Sequence, residues 1–239
     1  MNIINFLQMY TPLANVVPLP EPGTRNVPSW YKEQPAISGD DPMTPDKAQM
    51  RLTVKKCQAF FDAMSIGYIL KVPIDLYIDT TDGNVKVHLP GHLAKYHHMI
   101  ISQHGQEQVS HLPIDKDVYC DQILRIHPTW MVQTPDGYSS LFTTPMHQEL
   151  SPLKAIEAVV DTDTYFTDGH LSFLVKKNFK GIIKQGTPMS QVFPFKREDW
   201  EMNIDKDHDI SKTEEQASKV RSTFQNGYRL KFWQKKTFK

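Results

Sequence analysis

Three segments decide the fold class: Tyr68-Ile69-Leu70-Lys71-Val72, Ile74-Asp75-Leu76-Tyr77-Ile78 and Val85-Lys86-Val87-His88-Leu89. The second and third alternate apolar with polar residues, the period at which successive side chains point to opposite faces of a sheet. Asp82-Gly83 stands between them, a pair suited to the positive φ angles of a tight hairpin. Pro73 lacks an N–H and marks an edge or a bulge between the first two.

Downstream the same signals repeat. Strands are expected at 123–126, 130–134, 139–144, 156–162, 170–176, 180–184 and 189–195. Turns fall at Pro135-Asp136-Gly137-Tyr138, Asp168-Gly169 and Gly186-Thr187-Pro188. Short strands with turns roughly every 8–12 residues point to a β-sandwich, jelly-roll or barrel-like body. Residues 91–112, with five histidines, fit neither period.

Upstream, 54–66 reads as an amphipathic helix. Cys57, Phe60, Phe61 and Met64 fall at i, i+3, i+4 and i+7, and Gly67 supplies a stop. A second helix is expected near 211–225, opened by a Ser211…Glu214 capping box and closed at Asn226-Gly227. The class is therefore mainly β with a few helices, α+β. Of 17 prolines, 8 lie in the first 45 residues. That segment carries Val16, Val17, Leu19, Val27, Trp30 and Tyr31, and reads as an extended arm strapped onto the body or a neighbour. The expected organisation is one domain with arms: an arm over 1–52, a β-rich body over 53–200, and an acidic loop, helix and basic-aromatic tail over 201–239.

Length and composition bound the function. A chain of 239 residues, 39% hydrophobic and 23% charged, can bury a core without disulfide or metal. Its 27 basic and 27 acidic residues cancel, so no global charge draws it to nucleic acid or anionic membrane. Two cysteines make no disulfide framework, and a reducing compartment is expected. The start lacks a basic signal-peptide region, and no run approaches about 20 apolar residues. The chain is therefore expected to be intracellular and soluble, at least where it is made.

Candidate chemistry is weighed against plain packing. His147, Glu149 and His208 can form a two-His, one-carboxylate metal triad, or can be polar loop residues. His88, His92, His97, His98, His104 and His111 read as surface and partly buried histidines that lend pH sensitivity. Asn203, Asp205, Asp207, Ser211 and Glu214 match oxygen-ligand positions of an EF-hand loop. However, His208 occupies the glycine position, and the same residues make an acidic approach to a helix start. Gly137-Tyr138-Ser139-Ser140 lacks the second glycine of a nucleophile elbow. Cys57 on a buried stripe suits packing. Asp161-Thr162-Asp163 puts two carboxylates on one strand face, for acid/base work or an exposed strand end. No cofactor site is read and no catalytic residue is assigned.

The tail differs. Arg229, Lys231, Lys235, Lys236 and Lys239 interleave with Tyr228, Phe232, Trp233 and Phe238. Cations with stacking aromatics can contact nucleic acid. Docking on a partner subunit is the favoured reading, with Trp30, Tyr31, Tyr228, Phe232 and Trp233 as partner-binding anchors.

Several blocks carry a family resemblance. They are Pro28-Ser29-Trp30-Tyr31-Lys32; Thr53-Val54-Lys55-Lys56-Cys57 with Asp62-Ala63 and Gly67-Tyr68; and Trp130 followed by Thr134-Pro135-Asp136-Gly137-Tyr138-Ser139. To these add Asp161-Thr162-Asp163, and Gly186-Thr187-Pro188 with Gln191, Pro194-Phe195 and Arg197-Glu198. Over roughly residues 28–200 the chain resembles an uncharacterised family of β-rich proteins from tailed phages, notably marine ones, and some bacteria. The resemblance implies a viral setting and a β-rich fold, with no activity to carry over. The leading expectation is a non-enzymatic virion or assembly component, located in the host cytoplasm or the virion, that binds other virion subunits or a second copy of itself. The alternatives are a cupin or oxygenase-like metal enzyme and an intracellular effector that binds a host protein.

Overall fold

The computed structural model describes residues 2–9, 13, 15–39, 51–127, 129–148, 152–166, 171–223 and 226–239. The chain folds into two compact units. One comprises residues 1–23 and 67–197, the other 24–66 and 198–239. The boundaries thus fall at 23/24, 66/67 and 197/198, where the sequence suggested 52/53 and 200/201.

The first unit is built from antiparallel strands. In chain order they are β1 (Asn5–Gln8), β2 (Glu21–Pro22), β3 (Tyr68–Lys71), β4 (Leu76–Asp79), β5 (Lys86–His88), β6 (Ile101–Gln103) and β7 (Leu124–Ile126). After them come β8 (Trp130–Gln133), β9 (Tyr138–Thr143), β10 (Leu153–Ala155), β11 (Ala158–Val160), β12 (Leu171–Val175), β13 (Lys180–Ile183) and β14 (Pro188–Lys196). They form sheets of order β1-β8, β10-β12-β7-β6, β11-β9-β14-β3-β2 and β13-β4-β5. The β-rich α+β class expected from the sequence is the one found. The sheets of the described residues do not close into a barrel.

The deciding hairpin forms as its alternation requires. β4 and β5 pair with Ile78 opposite Val87, and Gly83 takes φ +84° in the turn. Along β4, Leu76 and Ile78 are buried while Tyr77 and Asp79 are half-exposed. Their buried face joins Leu124 and Ile126 of β7, Phe173 and Val175 of β12, Ile183 and Met189 in the main core. Removing that apolar surface from water is the principal driving force of the unit.

Residues 1–23 belong to this unit. β1 pairs with β8, Phe6 facing Val132, and β2 pairs with β3. Leu13 and Val17 enter the main core. The ambiguous 91–112 region becomes a 3-10 turn at Gly91–Tyr96, two short helices at His97–Ile100 and Gln106–Val109, and β6 between them. Pro194 stands within β14, where a missing N–H would ordinarily break a ladder. The β3 ladder ends at Val192, so Pro194 lies beyond it.

The second unit is helical. It holds α1 (Ser29–Glu33) and α2 (Gln58–Ser65). With the first unit's helices His97–Ile100 and Gln106–Val109 counted as α3 and α4, its remaining helices are α5 (Ser211–Arg221) and α6 (Gly227–Lys231). Val27, Tyr31 and Met64 form its core, with Phe60 and Phe61 packed against them. Tyr31 stacks on Phe60 at 6.2 Å between ring centroids.

Three sequence expectations need correction here. The helix expected over 54–66 is a 3-10 turn at Val54–Lys56 followed by α2, and Cys57 is exposed rather than on a buried stripe. It precedes the first helical turn, where a side chain no longer follows the helix period. The start of α5 is held not by a Ser211–Glu214 box but by Asp209. Its carboxylate accepts the Ser211 N–H at 2.9 Å and the Ser211 hydroxyl at 2.9 Å. α5 ends at Arg221, capped by Ser222, ahead of the stop expected at Asn226-Gly227; Asn226, at φ +61°, instead precedes α6.

Candidate functional site

The described residues contain no group of three or more His, Cys, Asp or Glu side chains placed to hold a metal ion. His147 lies in the first unit at φ +60°, and His208 in the second, its Nε2 3.2 Å from the Thr213 hydroxyl. Glu149, the third member of the expected triad, falls outside the described residues, as do Asp168 and Gly169. His147 lines a cavity of about 390 Å³ with Tyr119, Lys154, Glu157 and Lys176. The EF-hand candidates form no loop between two helices: 198–209 carries no helix, and Asp205 accepts the Asp207 N–H at 3.1 Å.

The paired carboxylates at 161 and 163 are part of an ion-pair clamp. The Arg197 guanidinium donates to Asp163 through both terminal nitrogens, to the Tyr138 carbonyl at 3.0 Å and to the Ser139 hydroxyl at 3.1 Å. Asp163 also accepts the Gly137 N–H at 2.8 Å, and Asp161 accepts the Ser139 hydroxyl at 2.6 Å. Beneath them, the Thr162 hydroxyl lies 2.7 Å from that of Thr134 and 2.8 Å from that of Ser140, all three buried. With its carboxylates and hydroxyls so engaged, the cluster ties the 134–139 turn and strand start to the end of β14.

Asp163 should report this clamp through pH. Its Arg197 hydrogen bond, aided by the Gly137 N–H and outweighing burial, holds the carboxyl at about 2 against an ordinary 3.8. A folded value below the unfolded one means stabilisation that is full above pH 3.8 and disappears as pH falls through about 2. Urea titrations from pH 5 to 2 should therefore show wild type losing stability in that window more steeply than Asp163→Asn. Parallel curves would contradict it.

The histidines are dispersed. Ser102 Oγ lies 2.7 Å from His127 Nε2 and accepts the Arg125 Nε–H at 2.9 Å, while His104 Nε2 is 3.0 Å from Ser172 Oγ. Ser102, Arg125 and Ser172 share one row across β6, β7 and β12. The serine contacts fix the two imidazoles on that sheet face. His88, His92, His97, His98 and His111 are exposed.

A different site emerges in the second unit. A cavity of about 440 Å³ is lined by Thr24, Val27, Tyr31, Lys32, Lys55, Cys57, Gln58, Phe61, Arg229 and Trp233. That size falls within the range of small-ligand pockets, roughly 300–1,000 Å³. Its walls are aromatic, and its charges are all positive. Lys55 Nζ donates to the carbonyls of Tyr31 and Lys32 at 2.7 and 2.9 Å and lies 4.8 Å from the Tyr31 ring centroid. Arg229 stands 5.9 Å from the Trp233 ring.

One half-buried carboxylate fixes the Trp233 wall. Asp62 accepts the Trp233 indole N–H at 2.8 Å, Lys236 Nζ at 2.6 Å and Gln58 Nε2 at 3.0 Å. Burial alone would raise its pKa, but the hydrogen bonds from Lys236, Gln58 and Trp233 outweigh that and hold it below the ordinary carboxylate value. So part of the basic-aromatic tail is tied to α2 of its own chain.

The five expected partner anchors divide accordingly. Tyr31 is core and pocket wall, and Trp233 is pocket wall. Trp30 packs edge-on against Tyr31 and Phe60, Phe232 is half-buried, and Tyr228 is exposed. Sequence reasoning missed Lys32, Lys55 and Arg229 as neighbours, and missed Asp62 as the residue that sets Trp233.

No helix among the described residues is long and apolar enough to cross a membrane. No family model matches the chain, and no curated protein matches it. Among solved structures, a mutant dUTPase of Staphylococcus bacteriophage 80alpha with bound dUpNHpp is 11% identical. It covers 59% of this chain and 76% of its own, at a TM-score of 0.30. A likeness that slight carries no argument for shared chemistry.

Proposed function

We propose that this is a non-enzymatic phage-associated protein, a virion or assembly component, that holds an acidic segment of a protein partner in the Tyr31–Trp233 pocket. The observation that carries the reading is the pocket itself: Lys32, Lys55 and Arg229 beside Tyr31, Phe61 and Trp233, with no carboxylate in its lining. Tryptophan, tyrosine and arginine dominate the energetics of protein interfaces. Aromatic faces also attract cations and apolar groups alike. A surface of one sign steers a partner of the other. The neutral charge of the whole chain favours a protein over nucleic acid as that partner. The phage setting rests on the resemblance of residues 28–200.

The test is mass spectrometry of purified particles from infected cells. The chain is expected as a constant-ratio component that survives extensive washing. Its absence from particles and from their assembly intermediates would remove the virion and assembly reading.

A further inference from the structure

The segment Glu198-Asp199-Trp200-Glu201-Met202-Asn203-Ile204-Asp205 leads toward α5 without forming a helix or strand. Trp200, Met202 and Ile204 are 87%, 83% and 69% exposed. They recur every second residue, with Glu201 and Asn203 between them and Asp199 just ahead of Trp200. Single exposed apolar residues are ordinary, but a row of three led by a tryptophan is a surface built to be covered. Between 198 and 210 the chain carries six carboxylates (198, 199, 201, 205, 207 and 209) against one lysine, Lys206.

The same unit carries the matching receptor. Its pocket offers aromatic walls to an indole and three cations to the flanking carboxylates. With Trp200 so exposed, the segment of a given chain does not fill that pocket. We propose that Trp200 of one copy, flanked by Asp199 and Glu201, inserts into the Tyr31–Trp233 pocket of a second copy, so that the protein self-associates. This rests on the reading that the pocket binds an acidic segment, and it names that segment. Reciprocal exchange closes a two-fold dimer, the commonest symmetry of homo-oligomers.

Sedimentation equilibrium of the full chain tests it. Wild type should associate beyond the 27.6 kDa monomer by about 100 µM, the affinity range of a short peptide in a shallow pocket. Trp200→Ser and the double variant Lys32→Glu/Arg229→Glu alter exposed side chains, so the fold should be retained. Each should weaken association more than about tenfold. Mixing the two variants should restore association in part, because one retains the pocket and the other the segment. A wild-type chain that stays monomeric, or association unmoved by either variant, would overturn the proposal. Incorporation into particles separates the two readings. If Trp200→Ser associates like wild type and is incorporated normally while the pocket variant is lost from particles, the pocket serves another acidic partner and only the self-association proposal fails. If both are incorporated normally, the pocket reading fails too.

Discussion

Gly67→Ala is expected to destabilise the first unit by roughly 2–6 kcal/mol. Two costs add: about 1–3 kcal/mol for a non-glycine residue at positive φ and about 1–3 for forced overlap. Gly67 takes φ +67°, and a Cβ there would stand 2.2 Å from the Val192 carbonyl oxygen and 2.6 Å from the Phe193 Cβ. Neither neighbour yields cheaply. Val192 is opposite Tyr68 in the β14–β3 ladder, and Phe193 is opposite Leu141 in the β14–β9 ladder. A displaced carbonyl would disturb the middle of the five-stranded sheet. Gly83→Ala is the control. Its φ is +84° but nothing lies within 4 Å of the added Cβ, so only the conformational cost remains. Urea midpoints should separate the two variants clearly, and equal losses would show that the overlap is relieved without cost.

Phe173→Ala should cost about 3–5 kcal/mol, the range for deleting a buried aromatic ring. Phe173 is fully buried on β12, between Leu124 of β7 and Ala155 of β10 in the same sheet. Its ring belongs to the main core with Leu76, Ile78 and Ile126. Strands fixed by paired neighbours on both sides cannot collapse into the space left behind, which adds the cavity term to the lost transfer energy. Against a total stability of roughly 5–15 kcal/mol, that loss removes much of the margin. Thermal and urea unfolding measure it. A loss below about 1 kcal/mol would mean that the sheet repacks around the gap.

Much of the fold was legible because strand alternation is local. β4, β5, β7 and β12 to β14 follow directly from residues two apart whose burial alternates or whose runs are apolar. What was not legible depends on partners far along the chain. β1 looked like part of an arm because its pairing with β8 spans more than a hundred residues. Asp161-Thr162-Asp163 suggested chemistry because Arg197, 34 residues beyond Asp163, is the group that turns it into a clamp. Local patterns also mislead when two residue types compete for one role. Asp209 takes the helix start that Ser211 and Glu214 seemed to own, since a carboxylate two residues earlier reaches the same N–H group.

The candidate site was half visible. Tyr31 and Trp233 stood out by type, but residues 31 and 233 meet only in the folded unit. There Asp62 holds the indole across 171 positions of sequence. Arg229 stood out only as one cation of the tail, and Lys32 and Lys55 carry no signal until that packing assembles all three around the rings. The alternation of Trp200, Met202 and Ile204 with acidic residues was present in the sequence. It reads as an acidic loop until their exposure shows that no apolar surface among the described residues covers them.

The most direct test of the account is incorporation of the Lys32→Glu/Arg229→Glu variant into phage particles, quantified against wild type by mass spectrometry. Both positions are exposed, so the variant should fold normally and reach the same level in cells. The account predicts that its content in particles falls at least about tenfold, as expected when two cations of an acidic-partner site are reversed. Equal incorporation of a soluble, folded variant would contradict it.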